Sequence, residues 1–333
     1  MLLSFIVPFF NSKKKSKRLL KTLSSIDQDD IEIILIDDGS TDNTYKMLMD
    51  FKINAINENI EVIEQENKGP GGARNAGLTR AKGKYVWFVD SDDDIRIEAI
   101  EFLKEISDKN YDFIDFNIQS GSEVINSMDI NPGEYSDAEN YRIVLLNHFG
   151  RISSKAIRRE FLIENNIFYP EYCLYEDNPL TYIYPFLVKS FLKTEVVGYI
   201  HHLEFESITR SQPSLRTLDR LYTSIYGFKK GLELAQNNVE VDILKEKFIK
   251  NYLTMTTINL QSIKPSKNWV VTWKVMKEYR KLNKKLDINL NPFCFLEGSY
   301  KFKLYFTFHW AISFLITTDQ TEYFNNIRKK AWN

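Results

Sequence analysis

An unbroken apolar run that ends in a cluster of carboxylates constrains this chain more than any other feature. Residues 85–89 are Tyr-Val-Trp-Phe-Val, and residues 90–94 are Asp-Ser-Asp-Asp-Asp. Because the run does not alternate between polar and apolar residues, it predicts a strand that is covered on both faces. The carboxylates must leave the core, since unpaired buried charges are costly. We therefore expect a ligand site just beyond the carboxyl end of this strand.

The spacing of these carboxylates allows two interpretations. Asp90 and Asp92 lie two residues apart, so an extended backbone points both side chains to one side. Mg²⁺ and Mn²⁺ take such oxygen ligands and often carry a phosphate as well. An acidic turn that begins a helix explains the same pattern, because Asp is favoured at N-caps and in first turns. Asp93 and Asp94 fit the helix-start interpretation, whereas for Asp90 and Asp92 this stretch alone leaves both open.

The composition is that of an ordinary globular protein. The chain has 333 residues, of which 43% are hydrophobic and 27% charged, and its net charge of -1 argues against a nucleic-acid partner. The two cysteines, Cys173 and Cys294, have no metal-binding spacing, which favours a reducing compartment. The N-terminus lacks the features of a signal peptide, and no apolar run is long enough to span a bilayer. We therefore expect a cytoplasmic protein.

Strands and helices alternate over the first 64 residues. Strands are predicted at residues 2–7, where Pro8 ends the strand, and at residues 32–36 and 60–64, with helices at residues 13–26 and 43–52. This alternation predicts an α/β fold with a parallel sheet and right-handed crossovers.

A glycine-rich stretch follows at residues 67–77, NKGPGGARNAG. Three closely spaced glycines and a proline predict a loop whose backbone closely approaches a ligand, with Arg74 opening the next helix towards an anion. The stretch is neither a Walker A loop nor the Rossmann glycine pattern. A flexible loop with a solvated arginine is the alternative.

Four motifs, taken together and in order, resemble the inverting family-2 glycosyltransferases of the GT-A fold. They are PFFN at 8–11, IDDGSTDNT at 36–44, NKGPGGARNAGL at 67–78 and FVDSDDDI at 88–95. The resemblance implies a GT-A fold, which is a Rossmann-like, mostly parallel sheet flanked by helices. It also implies a nucleotide-sugar donor, usually a UDP-sugar, a Mn²⁺ or Mg²⁺ cofactor, and a glycan or lipid-linked glycan acceptor. A bacterial surface polysaccharide, such as a capsule or lipooligosaccharide, is the expected product.

The resemblance also implies roles for individual residues. Asp92 is the more direct metal ligand of the Asp-x-Asp motif, and Asp90 lies nearer the ribose. The residues expected to bind the donor in these motifs are Pro8, Asp37, Asp38, Arg74, Asn75, Asp90 and Ser91.

A Glu-Asp pair at residues 176 and 177 is the candidate for the catalytic base. The pair enters a predicted helix, where acidic residues commonly act as N-caps. Within the resemblance it matches the family's Glu-Asp motif, in which the aspartate is the usual base. Asp177 is therefore the expected base, and Glu176 then contacts the acceptor or the backbone, with the reverse assignment open.

Two adjacent histidines and an arginine complete the predicted site. His201 and His202 follow a predicted strand, so their side chains point to opposite faces and at most one of them faces the site. The resemblance implies that one histidine adds a metal ligand and that Arg210 approaches the diphosphate. An ordinary hydrogen-bonded role is the alternative for each histidine.

The chain changes character near residue 213. Residues 1–212 are the predicted catalytic domain, with a nucleotide-sugar half to about residue 95 and an acceptor half from 96 to 212. Residues 213–333 predict long helices, at 214–236, 240–263 and 268–285, and residues 264–333 carry 13 Lys and Arg against 5 Asp and Glu, a net charge of +8.

Aromatic and lysine residues are interleaved from residue 300 to residue 306 of this helical region. The pattern is typical of a peripheral membrane surface at the inner face of the cell membrane. For the aromatics themselves, burial in the core or in a homo-oligomer is the favoured interpretation, whereas the net charge of +8 favours membrane contact.

Two other functions agree with part of the sequence. A nucleotidyltransferase is disfavoured because such enzymes carry a glycine-rich basic loop directly after the first strand, where this chain has PFFN. A nucleotide- or glycan-binding module without activity is disfavoured because the Asp-x-Asp, Arg-Asn and Glu-Asp motifs are all present.

Overall fold

The computed structural model describes residues 1–203, 215–262, 265–286, 291–295, 300–316 and 318–332. The chain divides into two compact units, the first comprising Met1–Tyr172 and Tyr184–Glu206, and the second Cys173–Ile183 and Ser207–Asn333. The predicted boundary at residues 212 and 213 lies outside the described residues. The second unit also contains Cys173–Ile183, which falls within the predicted catalytic domain.

Ten strands within the described residues form one mixed sheet in the first unit, in the order β3-β2-β1-β4-β9-β6-β10-β5, with β7 beside β6 and β8 beside β10. In chain order they are β1 (Leu3–Phe9), β2 (Ile31–Asp38), β3 (Ile60–Gln65), β4 (Tyr85–Phe88), β5 (Asp94–Ile95), β6 (Phe113–Ser120), β7 (Glu123–Ile125), β8 (Gly133–Tyr135), β9 (Lys155–Arg158) and β10 (Phe191–His201).

The first four strands are parallel, as the alternating sequence predicts. Every residue of β2 and of β4 is buried, because helices cover both faces of a sheet built from such crossovers. The prediction that Pro8 ends β1 is wrong, since the strand continues to Phe9 and Pro8 pairs with Ile36. A proline is tolerated there because β4 pairs with β1 only as far as Ile6, so no donor is needed on that side.

The described helices are, in chain order, α1 (Lys17–Ser24), α2 (Thr44–Asn54), α3 (Gly69–Arg80), α4 (Ile97–Glu105), α5 (Arg142–His148), α6 (Arg159–Glu164), α7 (Leu180–Leu187), α8 (Asp219–Leu234), α9 (Asn238–Phe248), α10 (Thr256–Ser262), α11 (Pro265–Lys285), α12 (Tyr300–Ile312) and α13 (Thr321–Trp332). The basic stretch before α1 forms turns instead of the predicted first helical residues, and Leu19, Leu20 and Leu23 are buried as expected.

The glycine-rich stretch is a helix, not the predicted loop. Helix α3 already begins at Gly69, so Arg74 lies in its second turn and does not open it. The glycines permit close packing: a Cβ atom at Gly71 would lie 2.1 Å from the carbonyl oxygen of Pro170, and one at Gly77 would lie 2.4 Å from Ile6 Cγ2. Pro70 suits the first turn, where an N–H would have no helical acceptor.

The second unit is helical, as the sequence predicts. The predicted helix at 240–263 is interrupted, because Ile249–Met255 forms a π-helix between α9 and α10. Phe228, Phe248 and Tyr279 build its core, and the rings of Phe228 and Phe248 stack at 4.4 Å. Among the described residues, no helix has both the length and the apolar character needed to cross a membrane.

Candidate functional site

The loops that follow β1 and β2 are joined at the carboxyl edge of the parallel strands. Asn11 Oδ1 accepts hydrogen bonds from the backbone N–H groups of Thr41, at 2.8 Å, and of Asp42, at 3.2 Å. Asn11 has a φ of 48°, a left-handed conformation that asparagine tolerates better than most residues. The first two sequence motifs therefore contact each other in the first unit. Pro8 of the first motif directly precedes the loop that makes this contact.

The two aspartates that end β2 have different surroundings. Asp38 Oδ1 accepts hydrogen bonds from Gln65 Nε2 at 2.7 Å and from the backbone N–H of Lys68 at 2.9 Å, and burial raises the pKa of Asp38. Asp37 is 1% exposed, and no described residue donates a hydrogen bond to its Oδ1 atom. Asp38 thus anchors the chain before α3, whereas Asp37 presents a buried acceptor.

Arg74 and Asp90 connect the third and fourth motifs. Arg74 Nη2 donates to Asp90 Oδ1 at 2.7 Å, with side-chain exposures of 12% for Arg74 and 42% for Asp90. The guanidinium carbon also lies 5.4 Å from the ring centroid of Tyr169. A partly buried arginine is therefore held beside the carboxylates that follow β4, and its guanidinium is the positively charged group of this edge.

Asn75 is engaged with the protein backbone. Its Nδ2 atom donates to the carbonyl oxygen of Tyr169 at 2.9 Å, and its Oδ1 atom accepts from the N–H of Tyr169 at the same distance. Asn75 thereby fixes the segment at Tyr169 against α3 within the first unit. Its predicted contact with the donor stays a prediction.

The turn after β4 presents the remaining predicted donor and metal residues. Ser91 is 9% exposed and its Oγ atom donates to Ser12 Oγ at 3.0 Å, which ties this turn to the loop after β1. Asp92 is partly exposed. No group of three or more His, Cys, Asp or Glu residues in the described part of the chain is arranged to hold a metal ion. The carboxylates at this turn suit Mg²⁺ or Mn²⁺ only where phosphate oxygens or water supply the other ligands, which is common for Mg²⁺ in phosphate sites.

Asp93 does not begin a helix, contrary to the prediction. Asp93 is 6% exposed and accepts hydrogen bonds from Tyr199 Oη, at 2.7 Å, and from the backbone N–H of His202, at 2.9 Å. Burial raises its pKa to about 7, and the negative charge of Asp90 adds to this effect. Asp94 also differs from the prediction, because it lies in β5 and α4 begins only at Ile97. The sequence carries no signal for the Tyr199 partner, which lies more than one hundred residues away.

The two histidines lie at the end of β10. Ser120 Oγ lies 3.4 Å from His201 Nδ1, and the backbone of His202 contacts Asp93. This contact places residue 202 next to the Asp-x-Asp turn. Arg210, the predicted diphosphate residue, lies outside the described residues.

The Glu-Asp pair belongs to the second unit, where helices α8 and α9 hold the segment that carries it. Asp219 Oδ2 accepts a hydrogen bond from the backbone N–H of Leu174 at 2.9 Å, and Lys247 Nζ donates to the carbonyl oxygen of Thr181 at 2.8 Å. The guanidinium of Arg220 lies over the ring of Tyr175. These contacts fix both ends of the stretch around the pair.

The members of the pair differ in exposure. Glu176 is 7% exposed, whereas Asp177 is an exposed residue. Sequence reasoning identified the pair but missed Tyr175 and Arg220, because their partnership joins distant parts of the chain.

Most of the first unit matches a known protein family. Residues 4–169 match the sequence model described as Glycosyl transferase family 2. The match includes the predicted donor residues of the four motifs and ends before Glu176.

Two curated relatives share part of this sequence. The poly(ribitol-phosphate) beta-N-acetylglucosaminyltransferase TarS of Staphylococcus aureus is 31% identical over 176 residues, which are 51% of this chain and 30% of that relative. The glycosyltransferase GlyG of Streptococcus pneumoniae is 36% identical over 115 residues, 34% of this chain and 38% of that relative. The matched segments thus span less than two fifths of the length of either relative.

The fold is also shared with a solved structure. The crystal structure of S. aureus TarS 1-349 in complex with UDP-GlcNAc superposes with a TM-score of 0.65 at 24% identity, covering 84% of this chain and 80% of that chain. This likeness confirms the predicted GT-A fold, with C-terminal helices after the sheet.

Proposed function

Because this chain belongs to glycosyl transferase family 2, we propose that it moves one sugar from a UDP-sugar to a hydroxyl group of a glycan or lipid-linked glycan. The proposal includes inversion at the anomeric carbon by direct displacement, without a covalent sugar–enzyme intermediate. It also includes dependence on Mn²⁺ or Mg²⁺. The predicted cytoplasmic location and homo-oligomer stay predictions.

The contact between Arg74 and Asp90 is the observation that carries this proposal. It places a guanidinium, 12% exposed, against a half-exposed carboxylate at the edge where β1, β2 and β4 end. A diphosphate leaving group gains negative charge as the glycosidic bond breaks, and preorganised positive charge stabilises that charge best. Arg74 supplies such charge, and Asp90 fixes the direction of its side chain.

The buried acceptor on Asp37 supports a nucleotide ligand. A buried carboxylate oxygen without a donor costs free energy, on the order of 1–3 kcal/mol, that a ligand N–H group recovers. We assign Asp37 to the base of the donor nucleotide. Asp38 acts indirectly, because it already anchors Lys68 and Gln65.

We propose Asp92, Asp90 and His202 as the residues that bind the metal ion. The backbone contact of His202 with Asp93 favours His202 over His201, which lies beside Ser120. A divalent cation bound there would neutralise charge on the departing diphosphate.

Asp177 is the proposed general base, which takes the proton of the acceptor hydroxyl. Its exposure makes it accessible to an acceptor, whereas Glu176 is 7% exposed. The difference favours Asp177 over the reverse assignment. A base that removes this proton contributes roughly 10²–10⁴-fold to the rate.

A donor panel tests the proposal. Thermal shift and donor hydrolysis are measured with UDP-, GDP- and dTDP-sugars, with Mn²⁺ or with EDTA. Asp92→Ala should lose the metal-dependent response to the donor. Asp177→Asn should keep donor binding but lose transfer by about 10²-fold or more. Asp50→Ala, at an exposed aspartate of α2, is the control and should behave as the wild type.

Two results would contradict the proposal. A chain that responds to no donor, or whose response is indifferent to both metal and Asp92, is not a metal-dependent transferase. Glycan or nucleotide binding without any turnover would instead identify a binding module.

A further inference from the structure

Helix α12 has two apolar faces, and only one of them is buried in the described part of the chain. Phe302, Phe306 and His309 are buried on one side. Tyr300, Leu304 and Phe308 are 75%, 54% and 53% exposed. At 100° per residue, these three lie opposite the buried set.

Two more exposed apolar residues follow the end of α12 in the chain. Phe314 and Leu315, in the 3₁₀ turn Ser313–Leu315, are 61% and 79% exposed. We call Tyr300, Leu304, Phe308, Phe314 and Leu315 the outer apolar face. A group of exposed apolar residues of this kind marks a place where a protein contacts another molecule or a membrane. Single exposed apolar residues elsewhere, such as Ile53 on α2, need no such explanation.

The charge of the residues around this face indicates the chemical class of its partner. The sequence from Tyr300 to Ile316 contains no Asp or Glu, and the exposed Lys301 and Lys303 lie on the two flanks of the outer apolar face. Residues 264–333 carry a net charge of +8. A second copy of this chain would bring two such positive regions together, which repel each other. A surface that offers both negative charge and an apolar interior is complementary to the basic and to the apolar residues.

We propose that the outer apolar face of α12 lies against an anionic lipid bilayer. Leu304, Phe308 and Leu315 enter the boundary between headgroups and acyl chains, as the apolar side of an interfacial helix does. Lys301 and Lys303 extend to the anionic headgroups on either flank. The proposal goes beyond sugar transfer, because it assigns a membrane-contact surface that needs no donor or acceptor.

Vesicle co-sedimentation of the full chain tests this assignment. Vesicles of phosphatidylcholine with phosphatidylglycerol are compared with vesicles of phosphatidylcholine alone. The wild type should bind the anionic vesicles and should dissociate from them as salt is raised. Leu304→Ser with Phe308→Ser should weaken binding at least about tenfold. Lys301→Gln with Lys303→Gln should weaken it by about tenfold at low salt.

Matched variants separate this face from a general loss of apolar or basic residues. Ile53→Ser with Val239→Ser removes two exposed apolar side chains elsewhere, which are 75% and 60% exposed. Lys52→Gln with Lys229→Gln removes two exposed lysines from α2 and α8. Both pairs should bind vesicles as the wild type does, and all variants should keep the wild-type circular dichroism spectrum and UDP affinity.

Three results would overturn the proposal. The first is equal binding of wild type and of the Leu304→Ser, Phe308→Ser variant to anionic vesicles. The second is the absence of wild-type binding to those vesicles. The third is a dimer in lipid-free buffer that the same variant abolishes, since this outcome would assign the face to a second copy of the chain. Loss of donor response in the wild type would instead contradict only the proposed transferase activity.

Discussion

The guanidinium carbon of Arg220 lies 3.9 Å from the centroid of the Tyr175 ring. Tyr175 is the residue directly before the Glu-Asp pair in the chain. Tyr175 has a φ of 61°, a left-handed conformation that costs a residue with a side chain roughly 1–2 kcal/mol. Such strain persists only where several surrounding contacts together hold the residue in this conformation. Stacking of a cation on an aromatic ring contributes about 0.5–2 kcal/mol, which is enough to offset much of that cost.

We predict that Arg220 positions the proposed base. Arg220→Ala should lower kcat for transfer by about tenfold or more and leave KM for the donor within about twofold, because donor binding is assigned to the first unit. Arg220→Lys should recover part of the activity, since an ammonium keeps the charge but not the planar stacking. Steady-state kinetics measures both parameters. Lys230→Ala, an exposed residue of α8 that pairs with Glu233, is the control. A changed donor KM with an unchanged kcat would contradict this role.

Removal of Arg74 should weaken donor binding. Arg74→Ala deletes the partner of Asp90 and the positive charge beside the proposed diphosphate site, and we expect the donor Kd to rise at least about tenfold. Arg74→Lys should restore only part of the loss, because an ammonium lacks the guanidinium fork. Calorimetry with UDP measures the effect. Arg80→Ala is the matched control, because Arg80 lies on the same helix, is 62% exposed and pairs with Glu61. Equal losses in the two alanine variants would argue against a specific role of Arg74.

Asp93 should make stability depend on pH in the absence of metal. Its pKa is about 7 in the folded protein and about 3.9 in an unfolded chain, so between about pH 4 and 7 the folded protein holds a proton that the unfolded chain has released. The free energy of unfolding should therefore fall as the pH rises through this window, by at most about 4 kcal/mol, and level off above it. Asp93→Asn should remove this slope in urea unfolding with EDTA.

Tyr199→Phe is the informative second variant for this pH dependence. It deletes the hydroxyl that donates to Asp93 Oδ2, and this hydrogen bond lowers the pKa of Asp93. The slope should therefore extend to higher pH in Tyr199→Phe. Identical pH profiles for the wild type and Asp93→Asn would show that Asp93 is not the group responsible.

The first unit contains a buried cluster of charged residues. The loss of unfolding free energy on substitution there should depend on which of these residues is replaced. Asp115 accepts from Lys155 Nζ at 2.7 Å and lies 3.2 Å from Lys193 Nζ, and all three side chains have no exposed surface. Burial lowers the pKa of Lys155. Asp115→Asn leaves two buried amines without their carboxylate and should cost roughly 3–5 kcal/mol of unfolding free energy.

Lys193→Met provides the contrast within this cluster. It leaves Asp115 paired with Lys155, so its cost should be less than half that of Asp115→Asn, although Asn117 Oδ1 loses its donor at 2.6 Å. Guanidinium unfolding of the two variants measures the difference. Equal destabilisation would mean that packing, and not charge balance, determines the stability of this cluster.

The sequence predicts the nucleotide half of the fold well, because its strands are continuous apolar runs separated by clear helical periodicity. It fails at α3, where glycine propensity indicates a loop. Glycine is present there because Pro170 and Ile6 leave no room for a Cβ atom, and such long-range contacts have no local signature. Asp93 was misjudged for the same reason, since its partner Tyr199 lies on a distant strand.

The candidate residues show the same limit. Motif order located Asp37, Arg74 and Asp90 in the chain, and the structure adds which of them contact each other. Motifs did not reveal that Asn75 binds the backbone of Tyr169, nor that Arg220 supports the residue before Glu176. These relationships depend on packing between segments far apart in sequence.

Cys173–Ile183 interrupts the first unit in the chain yet packs with helices that begin some forty residues later. The two units therefore cannot be exchanged independently by joining two continuous pieces of chain. A chimera that joins residues 1–212 to the C-terminal helices of a relative would separate Tyr175 from this chain's Arg220 and Leu174 from this chain's Asp219. Substitutions in α8 and in this short segment should accordingly be made together, because a change in one removes the contact partner of the other.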